Sequence, residues 1–182
     1  YYKSNEPESA IAAVDRFIHN YPTHPNLDYA YYLKGLADFK DSNSIIDRIT
    51  GGYDYSDRDP KAALEAYRDF SVLIEKFPDS QYSDDARQRI RFILEAQAVH
   101  EIKVARHYLK IEAYVAALNR TKYVIENYQR TPAVEDALGL QATIYATIGI
   151  PDLANDSLRV LKLNFPESRY IKRVEKALAG GS

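Results

Sequence analysis

Cysteine is absent from this 182-residue sequence. That excludes disulfides, thiol catalysis and cysteine-ligated metals, and it leaves the compartment open, because cysteine-free chains occur in reducing and oxidising surroundings alike. Long apolar runs are missing too. The uninterrupted apolar stretches are a handful of residues, such as Ala113 to Leu118, and none approaches the roughly 20 residues of a transmembrane helix. An excess of one charge is also lacking. The 24 basic and 26 acidic residues are interspersed and leave a net charge of -2, so there is no electrostatic case for nucleic acid or an anionic membrane surface. No signal peptide is visible and no methionine begins the chain, which opens on Tyr1-Tyr2-Lys3. A mature or trimmed piece of a longer protein is therefore expected, with Gly180-Gly181-Ser182 either native or an appended remnant. What the sequence does have is apolar mass, 46% by count, enough for a buried core in one domain or a short array of repeats.

That mass is periodic. Around Tyr21, Phe77, Tyr128 and Phe165 the same text recurs. Eleven residues before each aromatic stands alanine: Ala10, Ala66, Ala117 and Ala154. Seven before stand Val14, Phe70, Thr121 and Leu158, and four before stand Phe17, Leu73, Val124 and Leu161. Proline follows in three copies, as Pro22, Pro78 and Pro166, while the fourth has Gln129 with Pro132 slightly later. Nine residues after the aromatic come Ala30, Ala86, Ala137 and Val174. Offsets of eleven, seven, four and zero keep one face of an α-helix. Proline then disfavours continuing it, and polar residues such as Ser83 and Thr131 are placed to cap the next helix. Each joint is thus a helix end, a tight turn and a helix start. The recurring alanine lets two helices approach closely, where a larger side chain would overpack the contact by roughly 1–3 kcal/mol.

The expected fold is all-α, a tetratricopeptide-like α-solenoid of stacked antiparallel helix pairs in which neighbours supply each repeat's core. Helices are expected near 6–21, 26–40, 60–77, 81–110, 113–128, 132–148, 152–165 and 167–178. The repeats fall at about 1–22, 23–78, 79–131 and 132–166, with a capping helix over 167–178 and a flexible tail over 179–182. The joints are 56, 51 and 37 residues apart, against about 34 in a plain tetratricopeptide repeat. The first excess is assigned to a long loop over 40–59, which contains Gly51-Gly52. The second is assigned to one extended helix from Ser83 to Lys110, a stretch free of glycine and proline.

Motifs for chemistry are scarce. His100-Glu101 begins like a zinc-protease helix, but Val104 stands where the second histidine is needed. His100 and His107 share a helix face without further evident ligands. Asp57-Arg58-Asp59-Pro60 suits an N-cap, an N1 proline and a local ion pair, with partner contact as a second use. Gly51-Gly52 is no phosphate loop. The sequon Asn119-Arg120-Thr121 falls inside a predicted helix and is discounted. Of the 16 tyrosines, Tyr21, Tyr67 and Tyr128 sit on the stripe or at joints and are structural. Tyr29, Tyr31 and Tyr32 crowd one helix and Tyr53 and Tyr55 the loop. Exposed tyrosine offers large contact area at low entropy cost, which suits protein or peptide binding. Tyr29, Tyr32, Tyr55 and Arg58 are therefore candidate contact residues.

Two segments carry a resemblance. Ser56–Ala86, with Ser-Asp-Arg-Asp-Pro, and Val104–Leu138, with Ala-Leu-Asn-Arg, are similar to the BamD (ComL/YfiO) family of outer-membrane assembly lipoproteins of Gram-negative bacteria. The resemblance covers essentially the whole chain. It implies a five-repeat lipoprotein without catalytic activity or cofactor, on the periplasmic face of the outer membrane. Its C-terminal half would dock the periplasmic POTRA domains of BamA, small lipoproteins of the same complex would bind it, and its N-terminal repeats would engage unfolded outer-membrane proteins. Membrane association would run only through a lipidated N-terminal cysteine, missing here with about a repeat and a half. Glu112 stands where relatives usually have glycine, and Gln129 where they have proline. By expected exposure, the docking candidates in the C-terminal helices are Glu135, Asp136, Gln141, Tyr145 and Asp152. Two other readings are another periplasmic adaptor of this repeat type, linked to cell-wall or Tol–Pal assembly, and an enzyme using Asp57, Asp59 and the histidines. A pocket joining those residues would mark the latter.

Overall fold

The computed structural model describes the backbone over residues 7–51 and 61–180, and the side chains over residues 8–39 and 62–179. All regular structure among the described residues is helical: α1 (Pro7–Asn20), α2 (Leu27–Gly51), α3 (Lys61–Lys76), α4 (Ser83–Lys110), α5 (Tyr114–Asn127), α6 (Ala133–Thr147), α7 (Pro151–Asn164) and α8 (Tyr170–Gly180). These match the expected helices to within a few residues, with one exception. Helix α2 runs on to Gly51, so the backbone over 41–51 is helical where the sequence reading placed loop. The segment from Asp41 to Thr50 contains neither glycine nor proline, so no residue in it breaks a helix, polar though it is. The rest of that loop, with Tyr53, Tyr55, Asp57, Arg58 and Asp59, lies outside the described residues, as does the tail at 181–182.

Two compact units divide the chain between Ile93 and Leu94, within α4. In the first, α2 packs against α1 and α3, and Phe39, Ala66, Phe70, Leu73, Ala86 and Ile93 form the core. In the second, α6 packs against α5, α7 and α8. Its core runs from Ala98 and Ile102 through Val124, Ala137 and Leu140 to Leu158, Leu161 and Val174. Neighbouring helices joined by short turns bury their shared face pairwise, which is the packing of a tetratricopeptide-like all-α fold.

The joints are built alike. The aromatic N–H donates to the carbonyl four residues back: Tyr21 to Phe17, Phe77 to Leu73, Tyr128 to Val124 and Phe165 to Leu161, at 2.7–2.9 Å. The aromatic carbonyl then accepts from the N–H three residues on, at His24, Ser80, Thr131 and Ser168. The carbonyls of those four accept in turn from Leu27, Ser83, Val134 and Ile171. Gln129 in place of proline leaves this pattern intact. The hydroxyls act differently from the capping expected of them. Ser83 Oγ donates backward to the Phe77 carbonyl (2.6 Å) and Thr131 Oγ1 to the Tyr128 carbonyl (2.8 Å). They close the preceding turn, each adding a second hydrogen bond to an aromatic carbonyl that already accepts from the N–H three residues on.

The stripe is buried as its spacing requires. Ala66, Ala117 and Ala154 are fully buried and Ala10 nearly so, as are Ala30, Ala86, Ala137 and Val174. Thr121 holds its stripe position by donating its hydroxyl to the Leu118 carbonyl (2.9 Å). Tyr21 departs from the structural role expected of it. It is 57% exposed and lies against Phe17 and His24.

Candidate protein-docking site

In the first unit, Tyr32 from α2 stacks on Tyr82 of the α3–α4 joint, with centroids 4.8 Å apart and planes 18° off parallel. Its hydroxyl donates to Asp85 Oδ2 (2.7 Å), which Arg89 also approaches through Nε (2.5 Å). The Arg89 guanidinium lies over the Phe39 ring, 4.8 Å from its centroid. Burial pushes the Asp85 carboxyl up, but the hydrogen bonds from Arg89 and Tyr32 outweigh it and hold the pKa below its ordinary value. Burial and the Asp85 carboxylate together raise the Tyr32 phenol. Tyr32 is thus a half-buried structural ring. Tyr29, on the outer side of the same Tyr82 (5.3 Å), is 43% exposed and is the member of this pair open to a partner.

The same unit contains an acidic cluster. Lys34 of α2 reaches Asp15 of α1 (3.0 Å) and Asp69 of α3 (3.5 Å). Asp69 is buried, and its Oδ2 has no donor among the described residues. Beside it is Asp38. Burial, a hydrogen bond with Asp69 and the Asp69 charge push the Asp38 carboxyl up to about 7. A proton held on Asp38 is the donor of that hydrogen bond, since two carboxyl groups can pair in this way only when one of them is protonated.

In the second unit, Asp136 lies in the first turn of α6, where the helix dipole favours a carboxylate. It is not the free surface acid its sequence position suggested. Tyr170 OH donates to its Oδ1 (2.6 Å), as does Arg169 Nη2 (3.0 Å), and Arg106 Nη2 pairs with its Oδ2 (2.9 Å). Burial works against ionisation, but these three partners outweigh it and hold the Asp136 pKa below the usual carboxylate range. Gln141 is also engaged, accepting from Ser157 Oγ (3.1 Å) across α6 and α7. Glu135 and Tyr145 are half-buried, and Asp152 is exposed in the first turn of α7. Tyr55 and Arg58 lie outside the described residues. His100 is half-buried, with its pKa lowered by burial, and His107 is exposed.

Several exposed apolar side chains passed unnoticed in the sequence: Ile111 (60%) and Val115 (72%) flanking the start of α5, and Leu163 (82%) near the end of α7. The stripe offsets could have found Val115 and Leu163, since both fall off the buried face. A pocket of about 590 Å³ lined by Arg106, Leu109, Lys110, Leu140, Arg169, Tyr170 and Arg173 was likewise missed.

The model of the YfiO family, described as an outer membrane lipoprotein, matches residues 1–161. The chain belongs to the YfiO family. Among curated relatives, the "Outer membrane protein assembly factor BamD" of Neisseria meningitidis serogroup B is 44% identical over 173 residues, 95% of this chain and 64% of that protein. The protein of the same name from Xylella fastidiosa is 34% identical over 171 residues, 94% of this chain and 58% of the relative. That of Vibrio cholerae is 32% identical over 165 residues, 90% and 68%. The chain spans a little under two thirds of the length of the Neisseria relative. The YfiO match spans residues 1–161 and so takes in three of the joints whole, not a single motif.

Proposed function

We propose that this chain is the greater part of a non-catalytic scaffold of the outer-membrane β-barrel assembly machinery. It docks the periplasmic POTRA domains of BamA, meets the other lipoproteins of that complex and assists insertion of unfolded outer-membrane proteins. The observation that carries this reading is the 44% identity, over 95% of the chain, to a relative named as an outer membrane protein assembly factor. The exposed rings and aliphatic side chains on this helical framework support it, since Tyr29, Ile111, Val115 and Leu163 give a partner apolar contact without opening the core. Among the described residues no helix is long and apolar enough to cross a membrane. Attachment to the periplasmic face of the outer membrane is assigned to a lipidated N-terminus of the full-length protein. The direct test is retention of the membrane-proximal POTRA domain of BamA on a column bearing this chain. Retention is expected, and clean passage of the POTRA domain would overturn the docking assignment.

A further inference from the structure

The pocket between α4, α6 and α8 in the second unit is lined by four cations and no carboxylate, with Asp136 pairing with two of them. Arg106 and Lys110 stand one turn apart on α4, and Arg169 and Arg173 are spaced alike at the start of α8. Like charges at this spacing oppose each other on a helix. Asp136 offsets one member of each pair, bridging Arg106 (2.9 Å) and Arg169 (3.0 Å). Lys110 and Arg173 have no carboxylate within ion-pair distance among the described residues, and both are exposed. A fold that lines one concavity with this much like charge breaks a local rule, and such departures concentrate at functional sites. Residues 169, 170 and 173 lie past the stretch the YfiO model matches, while the α4 and α6 side of the pocket lies within it.

We propose that this pocket binds an acidic segment of a protein partner, with a carboxylate taken by Lys110 and Arg173 and a neighbouring apolar side chain resting on Leu109 and Leu140. Asp136 is the internal precedent, a carboxylate held between the same two cationic helices. The guanidinium of Arg173 offers a planar fork matched to a carboxylate, and Lys110 a point charge. The volume of about 590 Å³ and the leucine and tyrosine lining suit a peptide carrying both kinds of side chain. A lone phosphate would fill little of that space and leave the apolar lining wet. The inference rests on the reading of this chain as a protein-docking scaffold and names one of its surfaces.

The test uses the chain as it stands, with a fluorescein-labelled Glu-Leu-Glu-Leu-Glu peptide followed by anisotropy. Binding is expected, with affinity falling as salt rises. The Lys110→Gln, Arg173→Gln double variant is expected to lose at least tenfold, and the Gln-Leu-Gln-Leu-Gln peptide not to bind. Arg173→Lys, which keeps the charge but not the fork, serves if the double variant does not fold, and is expected to bind more weakly than the parent. No binding, equal binding by parent and variant, or inorganic phosphate binding more tightly than the acidic peptide would each overturn the proposal. Running the POTRA column alongside separates the two assignments. Peptide binding without POTRA retention leaves the pocket standing and removes the docking role. POTRA retention without peptide binding does the reverse.

Discussion

Tyr170 lies on Gly139. A methyl group added to that glycine would fall inside the phenol ring. The ring is buried, and its hydroxyl donates to Asp136 (2.6 Å), so the glycine sets where the Asp136 cluster can form. Gly35 stands in the same relation to Phe70 in the first unit, where an added methyl would come within 2.6 Å of the ring.

Gly139→Ala is therefore expected to destabilise the second unit by about 1–3 kcal/mol, the usual cost of overpacking. This holds even though alanine is the better helix former by about 1 kcal/mol. Denaturant unfolding measures the loss, and near-ultraviolet circular dichroism reports the displaced tyrosine. A stability equal to or above the parent's would show that the ring has room to yield. Gly35→Ala is expected to behave alike in the first unit.

Glu112 has φ +57°, the left-handed region that costs a non-glycine residue about 1–2 kcal/mol. Glycine there forfeits about 0.4–1 kcal/mol through the greater freedom of the unfolded chain. Glu112→Gly is expected to stabilise the second unit by roughly 0.5–1 kcal/mol, the difference of those terms. Thermal unfolding decides the sign, and an unchanged or lower midpoint would remove the strain argument.

The acid cluster of the first unit predicts a pH dependence. Asp38 titrates near 7 in the folded protein against 3.8 ordinarily, so across that window the folded chain holds a proton that the unfolded chain has released. Stability of this unit is expected to fall as pH rises through the window and to level off above it. Burial raises Asp69 as well, which adds in the same direction. Asp38→Asn keeps a donor for Asp69 and cannot ionise. Melting at about pH 5 and about pH 8 should show a slope in the parent and a flatter, higher profile in the variant. Equal slopes in both would place the titration elsewhere.

Ser83 is fully buried, and its hydroxyl closes the turn onto the Phe77 carbonyl. Ser83→Ala removes that donor and is expected to cost about 1–2 kcal/mol, read by chemical denaturation. Ser80→Ala breaks the hydroxyl contact to Asp28 (2.7 Å) and, being less buried, is expected to cost less. The reverse order would show that the turn does not depend on the Ser83 contact.

The features legible in the sequence were those fixed by neighbours along the chain. The stripe of Ala66, Phe70 and Leu73 lies within one helix that ends just before Phe77, so its periodicity announces burial. The unbroken run from Ser83 to Lys110 likewise gave α4 its bounds. The Asp136 cluster was opaque because Arg106 meets Tyr170 across 64 residues, and no local pattern records such a meeting. Asp136 therefore looked like a surface acid. The direction of the Ser83 hydroxyl was hidden for a related reason. A serine at a helix start serves the helix ahead or the turn behind equally well by composition, and only the tight fold of the joint decides.

The shared joint also explains how spacings of 56, 51 and 37 residues coexist in one array. Each bend is a self-contained fitting of a few residues, closed by carbonyls and amides of its own backbone. Helices of different length can be plugged onto such fittings without recutting them, so α4 could grow to 28 residues while the corner at Phe77, where it begins, kept the form seen at Tyr21, Tyr128 and Phe165. Natural variation in this architecture is thus expected to collect in the lengths of the straight parts, with the corners as the fixed hardware.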